Sequence, residues 1–176
     1  MMEHGFGSEQ VQVVPKMKDV LHYKAEWEII KYASDADFAA KKPYDIVKID
    51  GNILLNAGIN LLLTLLAGGA GTAFNAANSY LGVGDSSTAE AATQTGLQAA
   101  TNKAYVAMDS SYPTYGSSQQ IVFQATFGSS VANFAWNEFI AINGNGTGTA
   151  FNRKVSAQGT KVSGQSWTLK LTITIS

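Results

Sequence analysis

The chain of 176 residues has no cysteine, a single arginine, two histidines and three prolines. Without cysteine there are no disulfides, no thiolate metal sites and no sulfur nucleophile. A lone arginine, Arg153, and a formal net charge of −1 leave no basic stripe of the kind a phosphate backbone requires, so nucleic acid is not an expected partner. His4 and His22 are far from any second ligand at metal spacing, and a Ser-His-Asp hydrolase would have to recruit one of them. Neither a dinucleotide fingerprint nor a Gly-Lys-Ser/Thr phosphate loop occurs. No metal, cofactor or catalytic residue is therefore expected. The most apolar run, Ile53 to Ala67, is shorter than a membrane span and is broken by Asn56, Asn60 and Thr64. The first residues, Met-Met-Glu-His-Gly-Phe-Gly, lack the basic and apolar regions of a secretory signal. The expectation is a soluble protein made in the cytoplasm.

What the chain does have is alternation. From Ser166 to Ser176, Trp167, Leu169, Leu171, Ile173 and Ile175 share one parity, while Thr168, Lys170, Thr172 and Thr174 share the other. Successive strand residues face opposite ways, so this run predicts a strand with one apolar and one hydroxyl-rich face, which a second layer must cover. Leu21 to Tyr32 alternates likewise, with Tyr23, Ala25, Trp27 and Ile29 against Lys24, Glu26 and Glu28. Shorter strands are predicted at 44–49, 79–83, 102–109, 119–127, 134–143 and 150–155, separated by Gly/Ser/Asn turns. Ser110–Ser118 and Gly144–Gly148 are predicted loops, the second mobile. Many short strands with such punctuation predict a mainly β fold, an antiparallel β-sandwich of Ig-like or jelly-roll-like type.

Two helical segments are expected besides. Ser34 caps a short helix whose first turn carries Asp35 and Asp37. The long helix is predicted over 52–67, where Asn52, Asn56, Asn60 and Thr64 form a narrow polar stripe on an otherwise leucine-rich rod. Such a rod is expected to be buried on several sides, either inside this domain or partly against another chain. The spacing of Ser87 and Glu90 matches a capping box and predicts one further helical turn.

Charge divides the chain. Residues 1–50 hold seven of twelve basic and nine of thirteen acidic residues. Two parts follow: an extended N-terminal arm, 1–20, and a β-sandwich domain, 21–176, including helix 52–67. The arm carries Val11, Val13, Val14 and Pro15 with Lys16 and Lys18, a pattern suited to ordering on a neighbouring subunit.

Glu138 is the most informative single residue. Its parity places it with Phe134, Trp136, Ile140 and Ile142 on the buried side of its strand. A buried carboxylate needs a partner, and Arg153 on the following strand offers a two-pronged one, with Lys154 pointing the other way. The pair is expected to be structural. Trp27, Trp136 and Trp167 all fall on apolar strand faces and are expected in the core.

From residue 52 onward the chain resembles a family of tailed-bacteriophage virion proteins. The likeness rests on Asn52–Ala67 followed by Tyr80-Leu81-Gly82-Val83-Gly84-Asp85-Ser86-Ser87-Thr88-Ala89. It continues in Thr95-Gly96-Leu97-Gln98, Phe123-Gln124-Ala125-Thr126-Phe127-Gly128, Phe134-Ala135-Trp136-Asn137-Glu138 and Asn152-Arg153-Lys154-Val155. Similar sequences occur as small phage structural proteins and as parts of tail-fibre or collar proteins. The resemblance implies a repeated, non-enzymatic virion component, and it does not extend to the first fifty residues. A capsid decoration or cement protein bracing neighbouring capsomers is the leading expectation, with the major capsid protein as partner and self-assembly, for example as a trimer. A tail-fibre, collar or adaptor component is the first alternative. A host-surface or carbohydrate recognition module, using the loops at 110–118 and 144–148, is the second.

Overall fold

A computed structural model describes residues 21–176. The expected arm residues Val11, Val13, Val14, Pro15, Lys16 and Lys18 lie outside the described residues. The strands are β1 (Tyr23–Tyr32), β2 (Asp45–Asp50), β3 (Ile53–Leu54), β4 (Tyr80–Gly84), β5 (Lys103–Ala107), β6 (Thr114–Ser117), β7 (Gln120–Phe127), β8 (Glu138–Ile142), β9 (Ala150–Val155) and β10 (Ser166–Ile175). They form two five-stranded antiparallel sheets. The front sheet has order β2-β1-β10-β7-β6 and the back sheet β3-β9-β8-β4-β5. The fold is mainly β, an antiparallel sandwich as expected.

β10 sits at the centre of the front sheet because its two faces are so unlike. Trp167, Leu169, Leu171 and Ile173 turn inward and are buried, each opposite an inward residue of β1 and one of β7; Leu169 lies across from Ile29 and Ala125. From the back sheet, Leu81, Val83, Phe139 and Ala141 meet this layer. Trp27, Trp136 and Trp167 are all core residues, at 0–2% exposure. Their rings pack at angles: Trp136 meets Trp167 at 5.0 Å and Phe127 at 4.8 Å, both edge-on, the geometry that aromatic quadrupoles favour. Trp136 also donates its indole N–H to the Ala132 carbonyl at 3.0 Å.

The short helix α1 (Asp35–Ala39) begins as expected, with the Ser34 hydroxyl accepting from the Asp37 amide. The long helix differs from expectation in bounds and in burial. α2 spans Asn56–Leu66, while Ile53 and Leu54 pair with β9 as a two-residue edge strand. The predicted stripe is cut accordingly: Asn52 precedes β3, where its side-chain oxygen accepts the Tyr23 hydroxyl, and Asn56, Asn60 and Thr64 lie exposed on the helix. Thr64 donates to the Asn60 carbonyl one turn back. Nor is α2 a buried rod. Gly58 is its only fully buried residue, and Leu62, Leu63 and Leu66 are 43%, 57% and 82% exposed. The helix lies along β9 so closely that a Cβ on Gly58 would come within 2.6 Å of the Phe151 backbone.

Three smaller expectations also change. Ser87 and Glu90 start no helix, because Glu90 instead accepts the Val155 amide and Ser86 closes a local turn onto Thr88. The loop at 110–118 contains β6, paired irregularly with β7. The strand expected at 134–143 begins only at Glu138; Ala135 makes an isolated bridge to Thr160, and the shift in path reverses the parity. Trp136 thus joins Phe139 and Ala141 in the central core, while Glu138, Ile140 and Ile142 face outward from it.

Candidate functional site

The outward face of the back sheet is covered. Residues 85–102 form an irregular strap across it, and beneath lies a second apolar cluster of Leu55, Leu97, Ile140, Ile142 and Ala150, flanked by Ile53, Tyr80 and Tyr105. Within that covered layer are Glu138 and Arg153, each with a fully buried side chain.

Strand register brings them together. Gly84 and Val155 are the neighbours of Glu138 across the ladder, and Arg153 lies opposite Ile140, one diagonal step away on the same face. The pair forms as expected, but with different geometry. Both Arg153 Nε (2.8 Å) and Nη2 (2.7 Å) converge on one carboxylate oxygen, Oε2. Oε1 accepts the Ala99 amide at 2.7 Å, and Oε2 accepts the Gln98 amide at 2.9 Å. The rest of the guanidinium turns to the strap, where Nη2 donates to the Thr88 carbonyl at 3.0 Å and Nη1 to Gln94 Oε1 at 3.0 Å. A buried charge pair is stable only when its remaining donors and acceptors are also met, and here the strap meets them with backbone groups and the Gln94 side chain. Gly84 makes the fit possible, since a Cβ there would stand 2.5 Å from Glu138 Oε1. Burial raises the pKa of the neighbouring Tyr105, and the Glu138 charge adds to the rise.

Chemically this arrangement is a staple. Its carboxylate is filled by four N–H donors and is closed to solvent, so no oxygen faces a space where a reacting molecule could sit. Sequence reasoning found the two residues but not the strap they hold. The signal for the strap was the long interval of small and polar residues between β4 and β5, which contains no periodic pattern.

A second buried cation lies elsewhere. Lys161 is fully buried and donates to the carbonyls of Gly128 (2.8 Å) and Val131 (2.9 Å) and to Asn133 Oδ1 (2.8 Å), pinning the turn before Trp136. Desolvation lowers its pKa to about 8, against a smaller upward pull from Asp35. Asp35 accepts the hydroxyls of Ser166 (2.6 Å) and Ser129 (2.8 Å), which lower its pKa. Among the described residues, no group of three or more His, Asp or Glu is placed to hold a metal, and no helix is long and apolar enough to cross a membrane.

Among the described residues, the surface carries a strongly apolar recess. A groove of about 240 Å³ runs between α2 and the front sheet, lined by Leu62, Leu65, Phe74, Phe123, Phe151 and Ile175 among others. Comparison with family models, with curated proteins and with solved structures finds no match to this chain.

Proposed function

We propose that this chain is a non-enzymatic structural protein of a bacteriophage virion, a decoration or cement protein that braces neighbouring capsomers, with the major capsid protein as partner. The observation that carries the reading is how the polar interior is used. The single arginine and its buried glutamate are wholly engaged in holding the strap, while the exposed leucines of α2 offer a surface for protein contact. A body so built suits the transmission of load between neighbours, and its described residues present no converging reactive groups. The resemblance of residues 52–176 to phage virion proteins supports the same reading, and it supports a tail-fibre, collar or adaptor component as the alternative.

Copy number separates the two. Quantitative gel densitometry of purified particles is expected to give hundreds of copies per virion. A handful of copies would remove the decoration reading in favour of the tail. Deleting Met1–Val20 is expected to abolish particle binding, and full retention of binding would remove the arm from the mechanism. Specific binding on a glycan array would instead favour a recognition module.

A further inference from the structure

Between Asp50 and Asp85 the chain has no charged residue and no histidine: positions 51–84 are entirely neutral. β4, at the end of this stretch, is buried, so its water-facing part is α2 and the segment that follows. There Leu62, Leu63 and Leu66 are exposed, beside the apolar groove that Leu62 and Leu65 help to line. A single exposed leucine is ordinary, but a leucine ridge beside an apolar groove marks a contact surface.

The chemistry of the surface narrows its occupant. An anionic or cationic partner finds no counter-charge on it. A membrane-surface helix carries Lys or Arg along its polar face, and α2 has only Asn56, Asn60 and Thr64 there. The partner must itself present neutral apolar relief. This chain's own α2 does so, as a ridge next to a groove of matching character. The outer face of the front sheet is mixed by contrast, with the exposed Ile46 set among Lys24, Glu26, Glu28, Lys48 and Lys170.

We propose that the α2 ridge and groove are a self-association surface, in which Leu63 and Leu66 of one copy pack into the groove of a second copy. The inference does not depend on the virion reading. Its strength follows from size. An 11-residue helix is about 16 Å long and about 10 Å wide, well below the roughly 800 Å² per partner of a stable interface. Association is therefore weak in free solution and becomes effective where copies are already held close together.

Sedimentation of the full chain over a series reaching about 1 mM covers the range in which so small an interface still associates. The weight-average mass is expected to rise with concentration for wild type. With both Leu63→Lys and Leu66→Lys it should stay monomeric while circular dichroism shows an unchanged fold. A wild type monomeric throughout overturns the proposal. So does a ridge variant that associates like wild type. A full-length chain with Val11→Asp, Val13→Asp and Val14→Asp is expected to associate normally, and loss of association in that variant alone would assign the groove to the N-terminal segment instead.

Discussion

The two outer faces of this sandwich solve opposite problems. The front sheet leaves its outer face in water and covers it with charge. Glu28 stands across from Lys48 on one side and Lys170 on the other, with both ion pairs at 3.9 Å and Glu28 one-quarter exposed. Such pairs gain little, because water screens them and the long side chains must be held still. The back sheet hides its outer face under the 85–102 strap, and its one ion pair has no water at all. There a carboxylate and its cation become indispensable to each other, since either one left alone is an uncompensated charge in a low-dielectric layer. The value of a carboxylate in this molecule is thus set by what covers it.

The sharpest way to break that comparison is to make the same change on both faces. Glu138→Gln is expected to cost about 3–5 kcal/mol by stranding Arg153, and Arg153→Met a similar amount by stranding Glu138. Glu28→Gln on the open face should cost about 0–1 kcal/mol. Urea unfolding of the three variants reads the difference directly. Hydrogen exchange adds a local readout: the Gln98 and Ala99 amides, which Glu138 accepts, should lose protection in Glu138→Gln before the central strands do. Equal costs on the two faces would mean the strap does not exclude water.

A smaller effect tests the packing that makes room for the staple. Gly84→Ala would place a methyl group 2.5 Å from Glu138 Oε1 and 3.0 Å from the Ala99 side chain. Overpacking of this kind costs about 1–3 kcal/mol. Gly128→Ala, where an added Cβ meets nothing within 4 Å, is the control and should melt near wild type. If both melt alike, the strap yields readily and the staple is looser than its hydrogen bonds imply.

The same contrast explains which parts of the fold can be read from the residues alone. β1 and β10 belong to the half-wet front sheet, so Trp27 and Glu28, or Leu169 and Lys170, alternate openly and give the strands away. β8 is buried on both sides, and Glu-Phe-Ile-Ala-Ile carries no alternation to mark its inner face. Extending the parity of Ile140 back to Trp136 fails there, because the chain leaves the ladder before Glu138 and Trp136 reaches the core by another path. The leucines of α2 mislead for the reverse reason. They are apolar as a buried rod would be, yet one flank packs on β9 and the other stays open, and sequence hydrophobicity does not distinguish a covered face from a contact face. The Glu138–Arg153 pair was legible from a single parity argument and the scarcity of arginine. The strap was not, since its hold on the sheet comes largely from backbone groups that any residue supplies, with the Gln94 and Glu90 side chains adding to them.

The finest test concerns a buried cation with no carboxylate partner. Lys161 is as hidden as Arg153, but its three acceptors are neutral oxygens. Desolvation therefore outweighs the weaker pull of the unbonded Asp35 carboxylate, and the folded-state pKa of about 8 lies below the ordinary 10.5. The sign follows from proton counting. Between those two values the unfolded chain binds a proton that the folded chain does not, so this group makes stability rise with pH across that window. Below about pH 8 both states are protonated, and the full penalty of burying the ammonium is present. Titrating groups common to wild type and Lys161→Met cancel in their difference. The gap between their urea midpoints should accordingly shift in favour of wild type as pH is raised from 8 towards 10.5. A gap that stays flat over that range would show that three carbonyl-type oxygens hold the ammonium as well as water does, and that a carboxylate is not what makes a buried cation tolerable in this sandwich.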